Sequence, residues 1–390
     1  MRQDPAPVRN LQSSKLTHFK VAMIYSLGTD MSKDEFSACL QSYDLQSQSH
    51  QVISRKTFNN KPSGFKACMS WLARHTRNDS RPVRLTMEAT GVYYEPFALF
   101  VGEHHCQIHL SVVLPSQSKK YIESRGLRSK TDKIDAYGLA LMGAERKLDA
   151  WKGIDPFWRK LRVYSRTRTE LLEQRTQLRN QLHALDHSGM EIPKAEQALR
   201  ECIQTISGQI DELTKLIAKL LRSRKDLRTQ IACLRSIPGV GTLTIACILA
   251  ETNGFAEFHR ISQLISFSGY DVKIKQSGSW TGQPKLSKQG SKYIRRAMFM
   301  PASVVVRGKQ GLLYELYQRL LGKHNIKMKA HVALQKKLLS YMYFLWNRQE
   351  AFDPEKIRHD QAVHQALLKQ KKVASTNAEA TVDTSKAVAH

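Results

Sequence analysis

The chain lacks any apolar run approaching the 18 residues a spanning helix requires, so an integral membrane protein is not expected. Residues 1–10 hold no apolar core of the kind a signal peptide carries, so export is not expected either, and the protein is read as cytoplasmic. Cysteine is sparse and scattered: the six, at 39, 68, 106, 202, 233 and 247, include no C-x-x-C pair. That argues against a zinc knuckle and against a disulfide framework, and leaves reduced core residues. Acidic residues are the largest deficit, 34 Asp+Glu against 61 Lys+Arg, for a net charge of +27. Such a surface is out of place in an ordinary metabolic enzyme and attracts polyanions, of which nucleic acid is the commonest in the cytosol. An anionic membrane surface is the alternative polyanion, but no apolar segment supports it.

What is present is globular. Apolar residues make up 41% of the 390, with 13 Phe, 13 Tyr and 5 Trp, enough for two or three domains with buried cores. A polar lead occupies residues 1–18. Residues 19–27 then read as a buried strand ending at Gly28-Thr29-Asp30, and 51–54, 83–87 and 107–114 as further strands, with a helical pattern over 64–77. Strands alternating with helices predict a mixed α/β domain over 19–150.

From Pro156 the pattern becomes helical, with Leu171, Leu178 and Leu185 seven apart and Leu182 between them, until Ser188-Gly189 and Pro193 interrupt it. Ile203, Ile210 and Ile217 then recur at seven, interleaved by Leu199, Ile206, Leu213, Leu220 and Leu227. These fit heptad a and d positions and predict a coiled coil within 151–230. Its partner is either the preceding helix folded back or the same helix of a second subunit, and the β-branched a positions are compatible with a parallel dimer. Residues 231–350 read as a compact helical domain and 351–390 as a flexible tail rich in Lys, Gln, Ala, Ser and Thr.

Four carboxylates stand out in the α/β domain. Asp30 and Glu88 sit at strand exits, where ligands of such sheets bind. Asp132 and Asp135 follow at i, i+3 spacing, which puts both on one face of a helix. Clustered carboxylates repel unless a hard divalent cation neutralises them, and Mg²⁺ takes carboxylate together with phosphate oxygens. Two such ions can clamp the attacking and leaving oxygens of a phosphoryl displacement. Each carboxylate taken singly serves equally well as a helix cap or a solvated charge. Around them Lys33, Lys119, Lys120, Arg125, Arg128, Lys130 and Lys133 read as a phosphate-backbone contact surface, or else as a solvated charged loop.

Two further features lie in 231–350. Pro238-Gly239-Val240-Gly241 opens a helix, exposing backbone N–H groups in the manner of a helix-hairpin-helix turn, though the same pattern also makes a plain helix connection. Residues 271–310 hold nine Lys or Arg against one acid, Asp271. Among them Lys285, Lys288, Lys292, Arg295 and Arg296 are expected to meet nucleic acid. Ser277 and Ser279 flank Gly278 in the same stretch. A serine attacks a phosphodiester only when one group accepts its proton and another stabilises the charge. The cations meet the second need; no histidine lies nearby in sequence, so a base must come from elsewhere in space.

Jointly, Gly28-Thr-Asp-Met-Ser-Lys33, Met87-Glu-Ala-Thr-Gly91, Lys130-Thr-Asp-Lys-Ile-Asp-Ala136, Ser268-Gly-Tyr270, Ser277-Gly278 and Lys288-Gln-Gly-Ser-Lys-Tyr-Ile-Arg295 resemble the DEDD-type insertion-sequence transposases. These are also known as bridge-RNA-guided serine recombinases and are related to the Piv-type DNA invertases. The resemblance spans about residues 20–345. It implies a RuvC-like (RNase H-like) α/β N-terminal domain, a helical coiled-coil connector and a mainly α C-terminal transposase domain. It places the family's four acids on Asp30, Glu88, Asp132 and Asp135 as Mg²⁺ ligands, and its nucleophile on Ser277, which would form a covalent phosphoserine link to DNA. Donor and target DNA, a structured non-coding guide RNA and a homo-oligomer of two or four subunits are the implied partners. The sequence departs from the family at Met31 and at Val272, where a proline is usual, and Ser279 is the rival nucleophile. Two other functions stay open at this level: a RuvC-like structure-selective nuclease using the carboxylates and water alone, and a non-catalytic nucleic-acid-binding protein.

Overall fold

A computed structural model describes residues 23–76, 79–127, 131–153, 155–189, 191–274, 276–278, 280–360 and 362–363. The expected polar lead, the start of the strand expected at 19–27, Arg128, Lys130, Ser279 and most of the expected tail lie outside the described residues. The chain forms two compact units, Met1–Gly153 and Ile154–His390.

The first unit runs β1 (Met23–Met31), β2 (Glu35–Asp44), β3 (His50–Asn59), α1 (Pro62–His75), β4 (Val83–Glu88), α2 (Glu95–His104), β5 (His109–Val113), α3 (Pro115–Ser124) and α4 (Asp132–Glu145). The sheet order is β3-β2-β1-β4-β5. β1, β2 and β3 pair antiparallel, whereas β4 and β5 continue from β1 in parallel. One face packs on α1 and α2 through Leu27, Phe36, Phe58, Phe65, Trp71, Leu85 and Phe97. The other carries α3 and α4 over Ile24, Tyr43 and Val113. Sequence periodicity misses β2 because its buried positions include Ser37 and Gln41. Gln41 is accommodated by donating to the Tyr137 carbonyl at 3.2 Å.

β1 does not stop at Gly28-Thr29-Asp30, as the sequence suggests, but runs through Asp30 to Met31. The glycine is there for close approach. A Cβ at Gly28 would fall on the Ala136 carbonyl and the Ala140 amide of α4, and one at Gly143 on the Thr86 hydroxyl. Ser26 Oγ donates to the Ala140 carbonyl at 2.5 Å, closing the same contact. As β1 advances from residue 26 to 28, its partners on α4 step back from 140 to 136, so helix and strand run in opposite directions.

The second unit opens with two 31-residue helices, α5 (Pro156–Asp186) and α6 (Pro193–Ser223), each with proline in its first turn. They form an antiparallel hairpin: Arg168 donates to Thr214 at 2.7 Å, Arg175 to Ser207 at 3.4 Å, and Arg200 lies 3.6 Å from Asp186. The heptad pattern thus finds a partner within the chain. Ile210 and Ile217 are buried, whereas Leu199, Ile203, Ile206 and Leu213 are half-buried.

Beyond the hairpin follow α7 (Arg228–Arg235), α8 (Thr242–Glu251), α9 (Ile261–Phe267), the two-residue strands β6 (Val272–Lys273), β7 (Gln276–Ser277), β8 (Trp280–Thr281) and β9 (Lys285–Leu286), then α10 (Lys292–Gly308), α11 (Gly311–His324) and α12 (Lys327–Arg348). α12 is central, with Leu334, Leu338, Leu339 and Met342 fully buried. Trp158, Leu161, Ile217 and Leu221 join the same core, so the base of the helical hairpin is built into this unit. Among the described residues no helix is long and apolar enough to cross a membrane.

Gly28→Ala is expected to lower the stability of the first unit by about 1–3 kcal/mol, the usual cost of overpacking a close contact, read from its urea midpoint. The added methyl meets helix backbone rather than a side chain that can swing aside.

Candidate active site

β1 and β4 are parallel with Thr29 paired to Met87, so Asp30 and Glu88 follow side by side at the carboxyl ends of adjacent strands. Residues in register on neighbouring parallel strands share a face. α4, running against β1, brings its N-terminus to that same rim. Its first turn holds Asp132 and Asp135, where a carboxylate is favoured by the helix dipole, and Thr131 caps it by accepting from the Ile134 amide at 3.3 Å. The tertiary structure therefore collects on one rim the four acids that the sequence scatters over a hundred residues.

Glu88 is held on both oxygens: the fully buried Ser118 donates to Oε2 at 2.6 Å and Thr90 to Oε1 at 3.2 Å. Asp30 and Asp135 are half-buried and Asp132 is exposed. This all-oxygen donor set, at the end of a sheet and a helix start, suits a hard divalent cation in its chemistry. The side chains are not drawn around one point: among the described residues no three His, Cys, Asp or Glu groups stand in position to hold an ion.

Of the cations expected nearby, Lys33, Lys119, Lys120 and Lys133 are exposed. Arg125 is committed elsewhere. Its guanidinium lies 2.6 Å from Glu145, whose other oxygen accepts from Tyr121 at 2.6 Å, so the pair ties α3 to α4. Burial, together with the carboxylate, pushes the Tyr121 phenol up.

Ser277 lies in the second unit at the tip of a nested hairpin. β6 pairs with β9 and β7 with β8, and Ser277, Gly278 and Trp280 are exposed. The base of the hairpin is clasped by the two motifs that flank it. Lys288 N donates to the Gly269 carbonyl at 3.2 Å and Ser291 N to the Phe267 carbonyl at 2.8 Å. Arg295 Nη1 donates to the carbonyls of Ser268 at 3.0 Å and Gly290 at 3.1 Å. Arg295, expected to meet phosphate, is a strut for the hairpin. Gly269, at φ +69°, has no room for a side chain, since a Cβ would stand 2.7 Å from the same guanidinium.

Buried Tyr270 continues the clasp inward. Its hydroxyl donates to Gln335 at 2.8 Å, the Gln335 amide to His331 Nδ1 at 2.8 Å, and His331 Nε2 meets Ser303 at 3.1 Å. A second network, which sequence reading missed, joins α10 to α5. Buried Glu251 accepts from Arg166 at 2.7 and 3.0 Å and from Ser291 at 3.0 Å. Tyr293 donates to Glu170 at 2.8 Å, and Arg296 is ion-paired with Glu173. Burial, with Glu170 beside it, pushes the Tyr293 phenol up to about 12. Arg296 is thus a helix tie as well as a surface cation, whereas Lys285, Lys288 and Lys292 are exposed.

The glycine turn between α7 and α8 divides its roles. A Cβ at Gly239, which has φ +81°, would stand 2.6 Å from the Pro301 carbonyl, so this residue serves packing against α10. Gly241 precedes α8 and borders a cavity of about 420 Å³ lined also by Arg168, Thr244, Tyr293 and Arg296.

Comparison with known proteins gives the same two regions. A transposase family of the IS110 DEDD type matches residues 27–186, the stretch holding the four acids. The transposase IS116/IS110/IS902 family matches residues 231–318, the stretch holding Ser277. The chain is 29% identical over 330 residues to the pilin gene-inverting protein of Moraxella bovis, covering 84% of this chain and 97% of that protein. It is 22% identical over 293 residues to the transposase for insertion sequence element IS1111A of Coxiella burnetii, covering 69% of this chain and 79% of that one.

Arg295→Ala is expected to free the hairpin without unfolding the unit, giving faster amide exchange across 268–291 and an unchanged core. A second outcome follows from His331, whose imidazole burial holds below its usual range. As pH falls below about 6.5 the unfolded chain takes up the proton first, so stability is full above that value and declines below it until the lowered pKa is passed. The urea midpoint should drop between pH 7.5 and 5.5, and drop less in His331→Gln.

Proposed function

We propose, from the premise that the chain belongs to the IS116/IS110/IS902 family of insertion-sequence transposases, that it recombines DNA through Ser277 as nucleophile, with Asp30, Glu88, Asp132 and Asp135 as the ligands of Mg²⁺. The observation that carries this reading is the meeting of β1, β4 and the start of α4 at one rim, which brings together acids from three separate stretches of sequence. The sheet order, with three antiparallel strands followed by two parallel ones, supports a RuvC-like fold for the unit.

When bound at that rim, a hard divalent ion supplies positive charge against the oxygens of a phosphodiester. Ser277 Oγ attacks phosphorus, forming a phosphoserine ester and releasing one strand end as a sugar hydroxyl. The serine proton passes, by way of a carboxylate of the rim of the same or a second copy of the chain, to the leaving sugar oxygen. Attack on the ester by the hydroxyl of another strand rejoins the DNA and regenerates the serine, so strands are exchanged without net hydrolysis. Exposed Lys33, Lys119, Lys120, Lys133, Lys285, Lys288 and Lys292 contact phosphates, and Gly241 with Arg296 adds a further anion contact. Arg128 and Lys130 complete the surface proposed from sequence. Target choice lies in a structured guide RNA that pairs with donor and target, so that side chains need not read bases. The half-buried seam of α5 and α6 supports coiled-coil pairing into a dimer or tetramer.

Co-expressed with its native flanking DNA and purified with Mg²⁺, the wild type should carry a denaturant-stable protein–DNA adduct. Ser277→Ala should abolish the adduct, Ser279→Ala should retain it, and Asp132→Asn should lose strand exchange while still binding DNA. Cleavage without an adduct in the wild type would overturn the serine mechanism in favour of a water-using nuclease.

A further inference from the structure

Trp280 stands apart from the buried indoles of the chain. It is 59% exposed, whereas Trp71, Trp158 and Trp346 are 4%, 6% and 6% exposed. A tryptophan left in water forgoes the largest burial gain of any side chain unless a ligand covers it. Among the described residues it has neither a ring partner nor a cation over its face. Val272 and Ile274, on the same hairpin, are also exposed, at 55% and 60%.

Its position is specific. Trp280 is the cross-strand partner of Ser277 in the β7–β8 pair. Directly opposed residues of an antiparallel pair project to the same face with Cβ atoms about 5 Å apart. The indole and the Ser277 side chain therefore leave the hairpin on the same face, and the surrounding surface is cationic, with Lys273, Lys285 and Lys288 exposed and Asp271 the only acid between 271 and 310. An occupant must offer a flat apolar face attached to a negatively charged chain. A nucleotide does both.

We propose that Trp280 is a stacking platform for a nucleobase of the DNA strand that Ser277 attacks, positioning the adjoining phosphodiester against the serine hydroxyl. This rests on Ser277 being the nucleophile. Every base has a π-face, so the contact is indifferent to sequence and compatible with base pairing elsewhere choosing the site. It requires the base to leave the duplex stack, which couples strand opening to attack.

The test compares full-length wild type, Trp280→Phe, Trp280→Leu and Ser277→Ala for binding to a 15-nucleotide oligodeoxythymidylate and to an abasic oligomer of equal length, together with adduct yield on native DNA. Trp280→Leu should bind oligodeoxythymidylate about tenfold more weakly, the usual effect of removing one stacked aromatic. Trp280→Phe should recover most of the loss, and Ser277→Ala should bind as wild type. The salt dependence should keep its slope in Trp280→Leu, because no cation is removed, and the abasic oligomer should not distinguish the variants. Adduct yield should fall in Trp280→Leu. Equal binding of oligodeoxythymidylate by wild type and Trp280→Leu overturns the proposal, as does an equal loss on the abasic oligomer. A fall in oligomer mass with unchanged oligonucleotide binding would assign the indole to a second copy of the chain and likewise overturn it. Trp280-dependent base binding in a wild type that never forms an adduct refutes the nucleophile and supports the stacking contact.

Discussion

The backbone-to-backbone contact between β1 and α4 is the constraint on which the acidic rim depends. A helix normally rests on a sheet at a distance set by side chains between them, but at Gly28 there is none, and the Ala136 carbonyl and Ala140 amide occupy that space. Ala136, Ala140 and Gly143 keep the facing side of α4 equally thin. The helix is thereby fixed in depth and in register along the strand. Because it runs against β1, the same fit that buries Ser26 and Thr86 under its C-terminal half delivers its first turn to the end of the strand. Carboxylates at a helix start and at two strand ends are thereby brought to one rim.

In the second unit the equivalent work is done by hydrogen bonds. The hairpin carrying Ser277 has strands only two residues long, too short to hold themselves in water. Its stability comes from below, where one guanidinium bridges the carbonyls of Ser268 and Gly290 and the backbone crosses from Phe267 to Ser291. Glycines at 269 and 290 are needed because the two crossing segments approach too closely for side chains. Ser291 links this clasp to the buried Glu251–Arg166 pair, so the hairpin base, α10 and α5 are connected through one polar chain. A rigid base beneath an exposed tip suits the role proposed for Ser277, reaching a backbone phosphate while its support stays still.

The charge pattern has two populations that composition cannot separate. Arg125, Arg295 and Arg296 read in sequence like the lysines around them, yet each is engaged inside its own unit, by Glu145, by backbone carbonyls and by Glu173. Arginine's planar fork makes it the residue for such ties, whereas the strongly hydrated lysine ammonium stays at the surface. Lys33, Lys119, Lys120, Lys133, Lys285, Lys288 and Lys292 are all exposed. Around the acidic rim and the Ser277 hairpin, the exposed cations are accordingly mostly lysines.

Sequence alone determined the nature of this protein wherever a local pattern has one physical meaning. Alternating strands and helices set the α/β class, the seven-residue spacing of Ile203, Ile210 and Ile217 set a helix with an apolar stripe, and the excess of 27 positive charges set the class of partner. The pairs Asp30 with Glu88 and Asp132 with Asp135 were legible because strand ends and i, i+3 spacing are local facts. It missed β2, whose buried serine and glutamine hide its strand character, and it ended β1 at a glycine that marks close packing rather than a turn. Only the tertiary structure decided that the two carboxylate pairs share a rim, that the heptad helix folds back on its neighbour, and that Ser277 stands opposite an exposed indole. Each of these depends on contacts between residues far apart in the chain, where the distance of approach is set by the side chains of both partners and no single stretch of sequence carries the information.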